Sequence, residues 1–411
     1  MIEMMGEALK KKIEELVEAH RLDMIHTLSE LIEIPTVNPP GRAYRQCVDY
    51  LSGLLKKWDI SHRIVPVSEG KNTDDKFPRF SIVGEWGEGS ESLHFHGHYD
   101  VVPVDDESQF NPSQKGSLIY GRGGADMKGG LTSLLSALRV IRKKGFKSQA
   151  KITFSLVPDE ETGGEMGTRY LVERKFLPKG ILGMLMPEPT SGVIWNANKG
   201  ALTYRVSLRG KSAHVALEHQ GENAFKHLIG IAHSLFSLRE KIKKRETKIP
   251  VSPPDANRSS LLIGGQTGSG ASFNVVPEHA FFTIDRRINP EESLDEAKKE
   301  IEAVLDDYRK KGVSLKAEII QEGESSFADP ESELALVLKQ SIEEVTSKPA
   351  RFELCPGLCE IRFFNRLGIP SYAYGPGLLE AAHSPNECVD INQVLECAVI
   401  CTLTAYRLLG Y

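Results

Sequence analysis

The sequence predicts a mixed α/β protein in which one α/β layer is interrupted by an inserted β-α-β-β-α-β unit. Two patterns predict it. Between residues 92 and 195 short apolar runs alternate with an amphipathic helical stretch, the signature of a largely parallel sheet covered by helices. Between 201 and 320 the order becomes strand, helix, strand, strand, helix, strand, the ferredoxin-like arrangement. The length agrees, because 411 residues at roughly 150 per domain leave room for two or three domains.

Each element has a local reason. Leu9, Ile13, Leu16, Val17 and Ala19 fall on one face of an N-terminal helix. SLHFHGHYD (92–100) reads as a strand. DMKGGLTSLLSALRVIRKKG (126–145) reads as a helix, with Leu131, Leu134, Leu135, Leu138 and Ile141 on one face and Gly145 as its stop. KITFSLV (151–157) and ILGMLM (181–186) have the length of buried strands. In the insert, ALTYRVSL (201–208) alternates with period two, 222–240 is helical, and SSLLIGG (259–265) and EHAFFTIDRRI (278–288) are strands. A charged amphipathic helix (292–311) and VSLKAEII (313–320) complete it. KKRETKIPVSPPDANR (243–258) is an exposed connection. After residue 330 come a helix, a strand at IPSYAYG (369–375) and a last helix from about 391. Residues 1–196 and 321–411 are thus expected to form one discontinuous domain, split by an insert at 197–320.

Composition narrows the function classes. With 40% hydrophobic and 26% charged residues the chain is of globular type, which excludes a disordered protein. Gly 36 and Pro 22 are too few for a collagen-like or low-complexity chain. A net charge of −5 offers no basic surplus for nucleic acid. The charged N-terminus lacks the apolar core of a signal peptide, and no run of apolar residues is long enough to span a bilayer. The six cysteines, Cys47, Cys355, Cys359, Cys388, Cys397 and Cys401, are sparse for this length, so reduced thiols and a cytoplasmic location are expected. Cys355 and Cys359 form a loose pair with no second pair beside them, so no structural zinc is expected there.

Five segments place His, Asp or Glu at an element end. His98 and Asp100 close the first strand, Glu160 and Glu161 follow the second, Glu188 follows the third, and His383 follows 369–375. Asp126 opens the helix. Taken singly, such residues are more often turn or cap groups; Asp126, for one, would serve as a helix cap. In an open α/β sheet, however, sites form beyond the carboxyl ends of the strands, so these residues would converge on one crevice. Two imidazoles with several carboxylates form a nitrogen–oxygen ligand set suited to zinc, cobalt or manganese. His94 and His96 share a face with His98 by strand period and are read as packed strand histidines.

The motifs HYDVVP, GRGGADMKGG, PDEETGG, PEPT, GKSAH, NVVPE and AHSPNE occur in the order found in the di-zinc amidohydrolase family of acetylornithine deacetylase, succinyl-diaminopimelate desuccinylase, aminoacylase and the glutamate carboxypeptidases. The chain resembles that family over residues 25–408. The resemblance implies a zinc-peptidase-like α/β catalytic domain with an inserted ferredoxin-like dimerisation domain, hence a homodimer. It implies that His98 and Glu188 bind one metal, His383 and Glu161 a second, and that Asp126 bridges them, with a cis peptide after it. Asp100 would orient His98 through its second ring nitrogen. Glu160 would take a proton from the attacking water and pass it to the leaving amine. His214 would reach into the partner subunit's site and stabilise the oxyanion, while Asn274, Arg287 and Gly357 would contact the substrate. Arg287 is preferred over its neighbour Arg286 because the family pattern is D-x-R and strand alternation puts the two on opposite faces.

The implied cofactors are two divalent ions, most simply zinc. The implied substrate is a small carboxylate-bearing N-acyl amino acid, or in a second version a dipeptide. One departure stands out: CPGLCEIRFF puts Cys359 where the family commonly has Thr and Glu360 where it has Asp, in a loop that contacts substrate in relatives. Two other classes are weighed. A binding module that has lost catalysis would lack a ligand or the base, and all six residues are present. A metal-independent serine or cysteine hydrolase is the other: G-x-S-x-G is absent, and the nearness of Cys359 to His383 in sequence is poor evidence for a nucleophile. GGQTGSG (264–270) lacks the G-K-[ST] of a phosphate loop.

Overall fold

The computed structural model describes residues 2–67, 76–145 and 151–410. The chain divides into two compact units. The first comprises Met1–Asn196, Ala328–Glu353 and Glu360–Tyr411; the second comprises Ala197–Phe327 and Leu354–Cys359. Among the described residues no helix is long and apolar enough to cross a membrane, and all six cysteines are free thiols.

The first unit is built on a twisted sheet. Its order is His62–Pro66, Phe80–Trp86, Lys151–Val157, Ser92–His98, Ile181–Pro189, Ser371–Gly375 and Ile194–Asn198. The central strands Lys151–Val157, Ser92–His98, Ile181–Pro189 and Ser371–Gly375 run parallel, with His98 opposite Val157 and Ala373 opposite Met186. The flanking strands are antiparallel. Every residue of Ser92–His98 is buried, as expected of a parallel strand covered on both faces. Helices Gly129–Lys144 and Ile391–Leu408 pack on each other and on the sheet, and each is buried along most of its length. Asp390 caps the last helix by accepting from the Asn392 amide.

Two differences from the sequence reading bear on the site. The helix expected at 126 begins at Gly129; residues Gly124–Lys128 form an irregular turn, with Asp126 at φ −116° and ψ 100°. Asp126 is therefore no helix cap, and its side chain is free to face the strand ends. The strand expected at 181–186 runs on to Pro189, carrying Glu188 in extended backbone. Glycine makes that possible: a Cβ on Gly130 would lie 1.7 Å from the Pro187 carbonyl oxygen, so only glycine lets the helix start approach this strand end.

The second unit holds strands Gly200–Arg209, Ser260–Ser269, His279–Ile288 and Ser314–Gly323 and helices Ala224–Ile242 and Leu294–Lys310. The sheet order is Ser260–Ser269, His279–Ile288, Gly200–Arg209, Ser314–Gly323, antiparallel throughout. That is the ferredoxin-like arrangement. The last strand runs through the division expected at 320/321 and ends at Gly323. Leu228, Ile231 and Leu235 pack with Ile301 and Leu305 against Tyr204, Val206, Phe282 and Ile284. Asn223 and Ser293 cap the two helices. Arg286 is fully buried among these residues, with Nη2 at 2.6 Å from Glu292 Oε1, whereas Arg287 on the opposite face is only half-buried. The glycine run 264–270 is the irregular end of an edge strand, with a register shift between Ile263 and Thr267.

Candidate active site

The parallel strands end together. His98 is the last residue of its strand, Glu160 and Glu161 lie in the turn after Val157, Glu188 is near the end of Ile181–Pro189, and His383 lies in the segment after Gly375. The structure brings these residues to one crevice of the first unit. His98 Nε2 lies 3.2 Å from Asp126 Oδ1 and 3.6 Å from Glu188 Oε1. His383 Nε2 lies 3.3 Å from Asp126 Oδ2 and 3.1 Å from Glu161 Oε2. Asp126 thus turns one oxygen to each imidazole. The peptide Asp126–Met127 is cis.

Two clusters, His98–Asp126–Glu188 and Asp126–Glu161–His383, each present three ligand atoms within 4.8 Å of one another and share Asp126. Glu161 Oε1 is buried without a hydrogen-bond partner. Three carboxylates against two imidazoles leave an excess of negative charge that cations would balance. Donor set, charge and orphaned oxygen all fit a pair of divalent ions.

The electrostatics show the same crowding. Burial acts to raise the Asp126 carboxyl, but hydrogen bonds from His383 and His98 overcome it and hold the group well below the usual range. Burial acts to lower His98, and the Glu188, Asp100 and Asp126 carboxylates reverse that. His383 is pushed up to about 10 by its bonds to Asp126 and Glu161. Burial and the Asp126 charge push Glu161 up to about 7. Glu160 is raised well above the carboxylate range, chiefly by burial and then by the neighbouring carboxylates Glu161, Glu360 and Asp126.

Asp100 does more than face His98. His98 Nδ1 is 3.1 Å from the Asp100 carbonyl oxygen and 3.4 Å from its carboxylate. The carboxylate itself accepts from the amides of Glu160 and Glu161, each at 3.2 Å. It therefore fixes the turn that carries both glutamates.

His94 and His96 are fully buried and stack at 6.2 Å, as packed strand histidines. His96 Nε2 lies 2.8 Å from Glu360 Oε2, and Glu360 is itself fully buried. Within CPGLCEIRFF the Glu360 carboxylate is thus bound inside the first unit, and its other oxygen would lie 2.5 Å from a Cβ on Gly164. Arg362 donates to the Gly163 carbonyl at 2.6 Å and steadies the far end of the glutamate turn.

The remaining predicted residues lie in the second unit. His214 is exposed, and its Nδ1 accepts from the Ala216 amide. The amide of Val215 donates to the Asn274 carbonyl at 3.0 Å, so His214 and Asn274 stand on adjacent backbone. Asn274 Oδ1 accepts from Ser272 Oγ. Arg287 pairs with Asp285 at 2.9 Å on its own strand. Gly357 is half-buried.

Several supporting residues were missed in the sequence. Glu387 Oε1 accepts from the amides of Ala125 (3.0 Å) and Asp126 (3.1 Å), and its Oε2 pairs with Arg122 at 2.6 Å. Arg122 also donates to the His383 carbonyl at 3.2 Å. The final Glu of the AHSPNE motif was the available signal. Lys128, fully buried, donates to the carbonyls of Leu31 and Ile34 and holds the turn to the end of helix Arg21–Glu33.

An α/β unit with paired His–carboxylate clusters at the carboxyl ends of its parallel strands, interrupted by a ferredoxin-like unit, defines a class of metal-dependent hydrolases. The model of peptidase family M20/M25/M40 matches residues 94–407, and the chain belongs to that family. It is 27% identical to a probable succinyl-diaminopimelate desuccinylase of Staphylococcus aureus over 396 residues, covering 90% of this chain and 95% of that protein. In fold it is similar to the dipeptidase Dug1p of Saccharomyces cerevisiae (TM-score 0.79, 16% identity, 98% and 99% of the two chains). It is likewise similar to the M20 metallo-carboxypeptidase Sso-CP2 of Sulfolobus solfataricus (TM-score 0.76, 18% identity, 94% and 99%).

Proposed function

We propose that this M20 hydrolase cleaves the amide bond of small N-acyl amino acids carrying a free carboxylate, in the manner of a desuccinylase or deacetylase. The single observation that carries the reading is the pair of clusters sharing Asp126, with the raised carboxyl of Glu160 beside them. The relative named as a succinyl-diaminopimelate desuccinylase supports the acyl-amino-acid version.

His98, Glu188 and Asp126 would hold one divalent ion and His383, Glu161 and Asp126 the other, with zinc the first choice and cobalt or manganese compatible. Bound there, such ions polarise the scissile carbonyl and lower the pKa of the attacking water. Asp100 keeps His98 in the tautomer whose Nε2 faces the cluster. Glu160 bonds to no cluster imidazole, so its carboxyl stays available to accept a proton from water and return it to the leaving nitrogen. In the second unit, Asn274, Arg287 and Gly357 would contact the substrate, Arg287 through its carboxylate-matching fork. The exposed His214 would stabilise the oxyanion in the site of a second copy.

A homodimer is part of this reading. Phe225, Ile229 and Phe236 make an exposed apolar stripe along helix Ala224–Ile242, and strand Ser260–Ser269 is an open sheet edge. The six free thiols suit a cytoplasmic location.

The test is a panel of N-succinyl and N-acetyl amino acids and dipeptides on zinc-loaded protein, with Glu160→Gln alongside. We expect acyl-amino-acid turnover, and at least a hundred-fold loss in Glu160→Gln with metal content retained. Because the same groups act on any amide, turnover of dipeptides alone would move the reading to a dipeptidase. Loss of metal in Glu160→Gln would show that Glu160 is a ligand instead.

A further inference from the structure

The glutamate turn is held by a residue that no catalytic role accounts for. Asn38 is 1% exposed. Its Nδ2 lies 3.0 Å from Asp100 Oδ2, 3.1 Å from Asp159 Oδ1 and 3.0 Å from Thr162 Oγ1. Asp100 receives the amides of Glu160 and Glu161. Asp159 immediately precedes those residues, at φ 75°, and accepts from the Met166 amide at 3.0 Å and from Thr162 Oγ1 at 2.9 Å. One amide group therefore joins the carboxylate at the end of strand Ser92–His98 to the carboxylate that starts the turn. Two buried carboxylates this close repel each other; the buried Arg79 guanidinium, 3.9 Å from Asp159 Oδ1, offsets part of this, and a donor standing between them relieves the rest. A neutral amide with two N–H groups supplies that donor without adding charge.

Two further observations argue that Asn38 is placed for this contact. Its Oδ1 is buried without a partner, a cost that turns both N–H groups toward acceptors; the reverse orientation would set an oxygen against two carboxylates. Its backbone is also fixed: the Asn38 amide donates to Val101, the Val101 amide to Thr36, and Thr36 Oγ1 to Tyr99. The segment 36–38 thus lies alongside the residues that follow His98.

We propose that Asn38 is a positioning residue for Glu160, acting through Asp100 and Asp159 to set the direction of the turn that carries it. This rests on the reading of Glu160 as the proton carrier. Removing the amide would leave Asp100 and Asp159 in mutual repulsion and free the turn, while the strand-borne ligands His98 and Glu188 keep their places.

The experiment compares Asn38→Ala and Asn38→Ser with wild type, each also in an Asp100→Ala background. Turnover is measured on zinc-loaded protein with the N-succinyl amino acid best cleaved in the panel. Metal content, Tm and peptide hydrogen exchange of the metal-free protein are read in parallel. Because the same turn carries Glu161, Asn38→Ala is assayed at zinc concentrations that restore wild-type metal content, where we expect kcat to fall ten- to a hundred-fold with KM within three-fold. Amide exchange across residues 159–166 should rise at least ten-fold, with helix Ile391–Leu408 unchanged. In the Asp100→Ala background the same change should cost several-fold less than in wild type, because one of the two paths to Glu160 is already cut while that through Asp159 remains. Asn38→Ser, which keeps one donor, should fall between. Unchanged kcat, unchanged exchange at 159–166, losses that multiply independently, or failure of both variants to fold would overturn the proposal in favour of a packing role. If Glu160→Gln keeps full turnover, the reading of Glu160 fails on its own, and the exchange result still decides whether Asn38 holds the turn.

Discussion

Replacing Glu387 by glutamine changes one oxygen for an NH2 group at a buried junction between Asp126 and His383. The remaining oxygen still accepts from the amides of Ala125 and Asp126. The new NH2 group, however, faces the Arg122 guanidinium, which is 4% exposed and had the carboxylate at 2.6 Å. Breaking a buried pair from one side costs about 3–5 kcal/mol, because the surviving charge is left in a poorly solvated place. A whole domain is stable by only about 5–15 kcal/mol, so the variant should unfold at a clearly lower urea midpoint. Arg122 also donates to the His383 carbonyl, so the change reaches the cluster. Losing an outer partner of a metal ligand weakens metal binding about 10–100-fold. Urea unfolding of the metal-free protein reads the first number, and competition with a chromophoric chelator reads the second. The exposed pair Arg169–Glu173 is the control, and Arg169→Ala should change neither. Reduced stability with metal affinity within two-fold of wild type would show that the pair serves packing alone. No change in either would refute the burial reasoning.

Two more outcomes follow from buried groups. Gly130→Ala places a methyl 1.7 Å from the Pro187 carbonyl; such overpacking costs about 1–3 kcal/mol or more, and the displaced strand end should lower metal content through Glu188, read by elemental analysis. Intact metal content with wild-type Tm would contradict the close approach. Cys47, fully buried in helix Tyr44–Lys57, has its thiol pushed from 9.0 up to about 12 by burial. The unfolded thiol ionises first, so its contribution is full below pH 9 and is lost as pH rises toward 12, by about 1.4 kcal/mol per pH unit. Cys47→Ala should be less stable at pH 8 yet show a shallower decline above pH 9; parallel declines would refute the assignment.

Much of the candidate cluster was readable from the chain alone. His98, Asp126, Glu161, Glu188 and His383 stood out because each follows a strand-like run or opens a helical one, and local periodicity marks such ends. The ferredoxin-like order of the insert was legible for the same reason: period-two and 3.6-residue patterns are local properties. Boundaries were less so. Asp126 was read as a helix opener because the apolar stripe from Leu131 onward extrapolates back to it; only close packing of the Gly129–Gly130 helix start against Pro187 shows why the helix begins later.

What tertiary structure alone decided is which polar groups answer one another. Asn38 and Asp100 are 62 residues apart, Ala125 and Glu387 262, and His96 and Glu360 264. No periodicity links such positions, because a buried polar group accepts any donor that the fold delivers within about 3 Å. So the residues proposed to hold a metal and carry a proton were written into local sequence. The partners that aim them, Asn38 at the glutamate turn and Glu387 with Arg122 behind Asp126, exist only where distant segments meet in a dry interior that charges each unpaired group its full desolvation cost.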